Sequence, residues 1–271
     1  MLSAAGPLLS GAEAARAVLA LSGPGLAVAA ARDLRQAREF TGGGVLSWAV
    51  IGTNWPRQLA PVGALLMWER YRVVLALQLT AGVVAPFAAL TPGSGAAVVA
   101  WLLLAAALLS LHRGGYGTDG ADQMSALAVL CAAVTLSVGG TIGRLFLLFL
   151  ACQLLLSYLI AGAAKLVSPV WRDGSCLAQI LSTHSYRSPR LASLLRSRPR
   201  MGLLLSWGVM MLEVTFWCAV FLPSGPMWAF LAAGAALHLG IALAMGLHTF
   251  VFAFLSAYPA LVFTATTFAR W

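Results

Sequence analysis

Long apolar stretches alternate with shorter polar or glycine-rich segments along the whole chain. Most of these stretches reach the roughly 17 to 25 helical residues needed to cross the hydrocarbon core of a bilayer. The pattern predicts an all-α polytopic membrane protein, with residues 1–271 forming one bundle of about eight transmembrane helices. The predicted spans are 12–31, 73–91, 95–111, 124–140, 145–164, 201–222, 227–247 and 249–268.

The first span is interrupted by Gly23-Pro24-Gly25 and ends in three alanines, so it has some features of a signal peptide. No basic residue precedes Arg16, however, and proline is tolerated in membrane helices whose neighbours satisfy the freed carbonyl. We therefore interpret this segment as a kinked first span.

Composition and charge exclude a soluble or nucleic-acid-binding protein. The chain is 61% hydrophobic and only 9% charged. Its net charge of +9 comes from arginines in the loops, where they favour contact with the lipid bilayer rather than with nucleic acid. The loops after spans one, three and five are basic, which predicts that these loops, and the Lys165 end, face the cytoplasm of a bacterial cytoplasmic membrane.

Two familiar chemical motifs are absent or accidental. The four cysteines have neither Cys-x-x-Cys nor Cys/His spacing, so we expect no disulfide framework and no metal site. The string Gly115-x-Gly117-x-x-Gly120 matches a dinucleotide fingerprint, but no strand precedes it and no βαβ unit surrounds it. We therefore expect no nucleotide there.

Lys165 is the only lysine among 17 lysines and arginines, and it ends the apolar run that begins at Leu145. At that depth it could anchor the helix at the interface, with Trp171 just beyond. Alternatively, it could turn into a protein-lined cavity, where a neutral amine would serve as a base. Both interpretations remain open from position alone.

Two further ionisable residues lie within predicted spans. Glu213 has apolar neighbours on every side and must face the bundle interior, with Lys165, Arg144 and His238 as candidate partners. His238 lies near the middle of the seventh span. Ionisable groups at membrane depth often mark a functional site, and we include Glu213 and His238 among the candidate substrate-binding residues.

The segment Tyr-x-x-Ala-Gly-x-x-Lys-Leu at 158–166, followed by Trp171, Gly174, His184 and Ser188-Pro189, resembles the HTTM (horizontally transferred transmembrane) family. That family includes vitamin K-dependent gamma-glutamyl carboxylase. The segment from His238 through Met245-Gly246-Leu247 to Phe250 is similar to the same family.

The resemblance implies that Lys165 is a catalytic base that deprotonates a reduced quinone before the quinone reacts with O2. We therefore expect an oxygenase or epoxidase acting on a small apolar quinol-like substrate, with no covalently bound cofactor. One alternative is a hydroquinone-dependent carboxylase that adds CO2 to a peptide partner. Another is a non-enzymatic accessory protein in maturation or export of a peptide toxin. The animal carboxylase continues into a large lumenal domain that grips its protein substrates, whereas this sequence ends at Trp271.

The resemblance also suggests substrate-binding roles for Tyr158, Trp171 and His184, and for Asp122, which replaces a histidine of the animal carboxylases. A cap at the start of the fourth span is the other interpretation of Asp122. Arg187 could grip a carboxylate or phenolate at a site entrance, or could belong to a solvated charged face.

Overall fold

The computed structural model describes residues 8–54, 60–114, 118–186 and 188–268, and these residues contain helices and no strand. Eight spans are long and apolar enough to cross a membrane. The prediction of an all-α polytopic helical bundle is confirmed. The α-helices that make up these spans are α1 (Gly11–Arg35), α2 (Trp68–Leu90), α3 (Gly95–Gly114), α4 (Gly120–Val138), α5 (Gly140–Val167), α6 (Pro199–Thr215), α7 (Ser224–Met245), α8 (His248–Leu255) and α9 (Tyr258–Phe268).

Two spans are composite. Helix α6 continues as a 3₁₀ helix, Phe216–Phe221, and the two together form the sixth span. Helices α8 and α9 follow each other closely and form the eighth. Because successive spans run in opposite directions, the described residues of the longer connections, 36–54, 60–67, 168–186 and 188–198, lie at one end of the bundle, which we call the loop face. Its short helices are Ala37–Phe40, Trp48–Ile51, Gly52–Asn54, Ala60–Leu65, Pro169–Arg172, Cys176–Ile180 and Pro189–Ser197.

The outer surface of the bundle is apolar. Large side chains such as Phe87, Leu90, Leu204 and Leu243 are more than half exposed, and many others along the helices are similarly exposed. In water such a surface would drive aggregation, whereas lipid chains cover it at no cost. The burial pattern therefore agrees with contact with a bilayer.

Helix α1 lies inside the bundle and packs on α2, α4, α8 and α9. It runs without a break through Pro24, within the segment predicted to be kinked. Gly23 and Gly82 bring α1 and α2 together, since a Cβ on either would lie 2.6 Å from the carbonyl oxygen of the other. Small residues of this kind are the usual contact points between membrane helices.

Helix α5 is longer at both ends than the predicted span 145–164. Gly139 and Gly140 have φ values of 63° and 54°, so the chain reverses there and the helix begins at Gly140. Arg144, which the sequence suggested lies in the connection, is exposed in the first turns of α5 instead. The other end reaches Val167, and Lys165 is therefore fully helical.

Candidate functional site

The site begins with a glycine that lets two helices touch. Gly162, on α5, faces Glu213 and Val214 of α6. A Cβ on Gly162 would lie 2.8 Å from the Val214 backbone nitrogen and 2.9 Å from the Glu213 Cβ. Both distances are shorter than van der Waals contact, so only glycine allows this approach. The close contact brings the Glu213 side chain to Lys165, which lies about one turn further along α5.

Lys165 and Glu213 form an ion pair within the bundle. The Lys165 Nζ lies 2.6 Å from Oε2 and 2.8 Å from Oε1 of Glu213. The Glu213 side chain is 8% exposed and that of Lys165 is 21% exposed. Of the three partners that the sequence left open for Glu213, Lys165 is the one in contact. Arg144 lies on α5 at the opposite end of the helix, roughly 30 Å away along its axis.

A turn after α5 places an aromatic ring against the ammonium group. The Trp171 ring centroid lies 5.2 Å from the Lys165 Nζ, within cation–π range. The turn is fixed on α6 by a hydrogen bond of 3.2 Å from the Trp207 indole to the Arg172 carbonyl. Gly174, with φ of 80°, packs directly on the backbone of Leu203. Trp171 therefore joins the same site as Lys165.

Asp173 stabilises this turn. Its carboxylate accepts a hydrogen bond of 2.8 Å from the Ser175 backbone nitrogen. The hydrogen bonds from Ser175 lower the pKa of Asp173 below its ordinary value, so the carboxylate stays ionised at neutral pH. The negative charge belongs to the turn, since Asp173 forms no ion pair within the described residues.

A second polar cluster lies deeper in the bundle along α5. We call the strip of α5 that carries Tyr158, Gly162 and Lys165, together with the side chains that contact it, the seam. The Tyr158 hydroxyl is 2.9 Å from the Nε2 of His238 and 3.1 Å from the Tyr258 hydroxyl. The Tyr158 ring stacks on Phe216, with 3.9 Å between centroids. Gly234 makes room for both hydroxyls, because a Cβ there would collide with them. Three hydrogen-bonding side chains from α5, α7 and α9 thus meet at one buried point.

The His238 ring is enclosed but not fully hydrogen-bonded. The Phe254 ring stacks on the imidazole with 4.2 Å between centroids. The His238 Nδ1 is buried without a hydrogen-bond partner among the described residues. A buried polar nitrogen without a partner costs free energy. Such atoms often mark a place where a ligand, a water or a proton is received.

The two clusters lie on one side of α5. Tyr158 and Lys165 are separated by about two helical turns, or roughly 10 Å, so they point in nearly the same direction. Their partners on the sixth span, Phe216 and Glu213, are about one turn apart. Sequence reasoning selected Lys165, Tyr158, Trp171, Glu213 and His238, and the structure brings these five residues into one seam.

A groove between α4 and α5 runs beside this seam. It has a volume of about 430 Å³, and its lining includes Gln123, Leu127, Ser157, Ala161 and Phe254. The Ala161 carbonyl is 3.5 Å from the Lys165 Nζ, and Phe254 is the ring that covers His238. The groove therefore shares a wall of α5 with both polar clusters, although neither Lys165 nor His238 itself lines it.

The outer wall of the groove is formed by Leu156 and Ile160, which are at least half exposed on the apolar surface of the bundle. Because lipid chains cover that surface, an apolar molecule dissolved in the bilayer can reach the groove without passing through water.

The remaining predicted residues lie elsewhere. Asp119, not Asp122, is the N-cap of α4; Asp122 lies three residues further on, completes the capping box, and faces a different cavity. His184 is exposed in the turn after Cys176–Ile180 and makes no hydrogen bond or ion pair with another described residue. Arg187 lies outside the described residues.

Sequence reasoning missed Tyr258, Phe254 and Phe216. Tyr258 carried a usable signal, because a tyrosine hydroxyl at membrane depth must find a partner. The two phenylalanines carried none, since phenylalanine is common in membrane helices and only packing distinguishes these rings.

No protein-family model matches the chain, and no curated protein or solved structure matches it. Within the described residues, no group of three or more His, Cys, Asp or Glu side chains is placed to hold a metal ion. The chemical groups of the site are an amine–carboxylate pair and a tyrosine–histidine cluster, with a largely apolar groove beside them.

Proposed function

We propose that the protein is a membrane-embedded oxygenase that converts a reduced quinone to its epoxide, with Lys165 as the base. The observation that carries the proposal is the Lys165–Glu213 ion pair between two membrane-spanning helices, one of which, α5, also forms a wall of the lipid-accessible groove. A buried pair of this kind gives little net stability, because desolvation of the two charges offsets their attraction. Its presence inside a membrane bundle supports a chemical role.

The paired carboxylate explains how Lys165 could act as a base. An ammonium group cannot accept a proton, so Lys165 must first pass one to Glu213, whose two oxygens lie 2.6 and 2.8 Å from the nitrogen. That transfer separates no charge, because an ion pair becomes a neutral amine beside a neutral acid. The amine then takes the proton of a quinol hydroxyl as that O–H bond breaks.

The quinol anion next reacts with oxygen. A carbon–oxygen bond forms between a ring carbon and O2, giving a peroxide, and the proton of the second hydroxyl moves to its outer oxygen. The adjacent ring carbon then attacks the inner oxygen, the O–O bond breaks and hydroxide leaves. Hydroxide takes the proton held by Lys165 and departs as water. The sum is quinol plus O2 to quinone epoxide plus water, with oxygen as the oxidant.

The rest of the seam would support this chemistry. An apolar ring held in the groove between α4 and α5 would be kept from bulk water, which would otherwise protonate the anion. Trp171 covers the amine from the loop face. The Tyr158–His238 hydrogen bond offers a donor about 10 Å deeper, where a second ring oxygen could be held.

The test uses purified full-length protein in lipid nanodiscs with reduced menaquinone or reduced ubiquinone and O2, and epoxide is measured by mass spectrometry. We expect epoxide formation that falls at least 100-fold in Lys165→Ala and in Glu213→Gln. Arg144→Ala is the matched control, because Arg144 is a basic residue on the same helix far from the seam.

Retention of activity in Lys165→Ala would overturn the role of the amine. No epoxide from either quinol with the wild-type protein would overturn the proposed reaction. Addition of labelled bicarbonate and a glutamate-containing peptide in the same assay asks whether carboxylation accompanies epoxidation.

A further inference from the structure

A buried arginine lies at the loop face, away from the Lys165 seam. Arg113, near the end of α3, is 2% exposed. Its Nε donates to the Leu66 carbonyl at 2.9 Å, and its Nη2 donates to the Leu46 carbonyl at 2.8 Å. The guanidinium lies 4.6 Å from the Phe40 ring centroid and 4.7 Å from that of Tyr71.

This arginine lines a cavity of about 370 Å³ among α1, α2, α3, the start of α4 and the connection after α1, which we call the Arg113 cavity. Three other charged residues line it: Arg32 and Asp33 from α1 and Asp122 from α4. The two positive and two negative residues come from three helices. The formal charges of the lining residues therefore sum to zero, and they are distributed over several walls of the cavity.

A chain of hydrogen bonds forms the inner wall. The Tyr71 hydroxyl donates to the Ser110 hydroxyl at 3.2 Å, and Ser110 donates to the Gln78 carbonyl oxygen at 3.1 Å. The Gln78 amide in turn donates to the Leu26 carbonyl at 3.0 Å. These hydrogen bonds fix the orientation of each polar group, so the wall is preorganised. The wall is polar even though apolar side chains would be enough to pack the three helices here.

The charged groups face the cavity without pairing across it. Arg32 and Asp33, which are neighbours in sequence, form an ion pair of 3.2 Å. Arg113 and Asp122 have no oppositely charged side chain within 4 Å among the described residues. Direct pairs would serve a purely structural role better, because they would satisfy both desolvated charges at once.

We propose that the Arg113 cavity binds a phosphate group and a primary ammonium group carried on one molecule, as in a phosphoethanolamine headgroup. The arginines would bind the phosphate, and the carboxylates of Asp33 and Asp122 would bind the ammonium. The cavity lies where α1 and α3 end and α4 begins, the level at which lipid headgroups are found. Arg32, with about half of its side chain exposed, lies at its rim.

The two halves of the site predict how it would select among lipids. Phosphatidylethanolamine supplies both a phosphate and an ammonium with N–H donors. Phosphatidylcholine has no N–H donor for the carboxylates, and phosphatidylglycerol has no cation. This selectivity is independent of the proposed oxygenase function, because Lys165 and Glu213 do not line the cavity.

The test is native mass spectrometry of the full-length protein released from nanodiscs that contain equal amounts of the three lipids. We expect phosphatidylethanolamine to be retained at least fivefold over either competitor. The double variant Asp33→Asn/Asp122→Asn should lose at least 80% of that preference. Its retention of phosphatidylglycerol should match that of the wild type, because the arginines that would bind the phosphate are unchanged. Asparagine at 122 retains an oxygen that can accept from the Asp119 backbone nitrogen, so α4 keeps its cap.

Glu69→Gln is the matched control, since Glu69 is an exposed acid at the same face and does not line the cavity. Free O-phosphoethanolamine is added in a second arm, and its retention in place of the lipid would assign the site to a soluble ligand of the same chemistry. Equal retention of the three lipids with no binding of free phosphoethanolamine would overturn the proposal. An unchanged preference in a double variant whose unfolding temperature matches the wild type would also overturn it.

Discussion

Gly162 and Glu213 face each other across the contact of α5 with α6, with no room for a methyl group between them. A Cβ on Gly162 would lie 2.9 Å from the Glu213 Cβ. Because glycine has no side chain, Gly162 sets the distance between the two helix axes at this level. The Lys165–Glu213 contacts depend on that distance. Packing and electrostatics are coupled at a single residue.

Gly162→Ala should separate the two helices and lengthen the ion pair. We expect a loss of about 1–3 kcal/mol in the free energy of unfolding from the forced shift, measured by denaturant titration in mixed micelles. The matched control is Gly208→Ala on α6, because a Cβ at Gly208 meets nothing within 4 Å. That control should be neutral or slightly stabilising. Equal stability of the two variants would mean that the α5–α6 contact is looser than these distances indicate.

Lys165→Met should leave the nearly buried Glu213 carboxylate without its partner. Removal of one member of a buried pair costs about 3–5 kcal/mol, whereas removal of both members leaves no stranded charge. We therefore expect the double variant Lys165→Met/Glu213→Gln to recover most of the stability lost in Lys165→Met. The free energies of unfolding of the four proteins form a double-mutant cycle. Additive losses would indicate that the two side chains do not interact.

Tyr158→Phe should cost more than Tyr258→Phe. The Tyr158 hydroxyl contacts both His238 and Tyr258, whereas the Tyr258 hydroxyl contacts only Tyr158 among the described residues. Loss of the Tyr158 hydroxyl leaves His238 with neither ring nitrogen bonded, at about 1–3 kcal/mol for the stranded group. Thermal unfolding of both variants in the same detergent measures the difference. A larger shift for Tyr258→Phe would contradict the hydrogen-bond arrangement.

Hydrophobic length was enough to predict the order and position of the membrane spans, because crossing a bilayer imposes a minimum apolar run. It failed at the start of α5, because the predicted span 145–164 leaves Arg144 in a connection, whereas the helix begins at Gly140. A charged side chain in the first turns of a membrane helix can extend toward the interface, so the helix includes it at little cost. Charge alone therefore does not mark where a span begins.

The candidate site was predictable only in part. Lys165, Glu213 and His238 stood out because ionisable groups at membrane depth need partners. Which partner each would take depended on helix packing, and the decisive residue was Gly162, which has no charge to draw attention to it. Asp122 and Gln123 are adjacent in sequence, yet they line different cavities, because successive residues of a helix point about 100° apart.

Arg113→Lys should release the connection after α1 from the bundle. Lysine keeps the charge, but it cannot donate to the Leu46 and Leu66 carbonyls in the fixed geometry of a guanidinium or stack as a plane between Phe40 and Tyr71. We expect amide hydrogen exchange of residues 37–51 to rise at least tenfold, because opening of that segment becomes easier.

Hydrogen exchange with mass spectrometry in nanodiscs measures this change, and Arg72→Lys is the control. Arg72 lies near the start of α2 at the same face and is exposed. Among the described residues it donates only to the Glu69 carbonyl, within its own helix. Exchange in α9 should stay at the wild-type level in both variants, since α9 lies outside the cluster around Arg113. Equal protection of the segment in Arg113→Lys would contradict this prediction and would mean that the aromatic cluster of Phe40, Trp68 and Tyr71 holds the connection by itself.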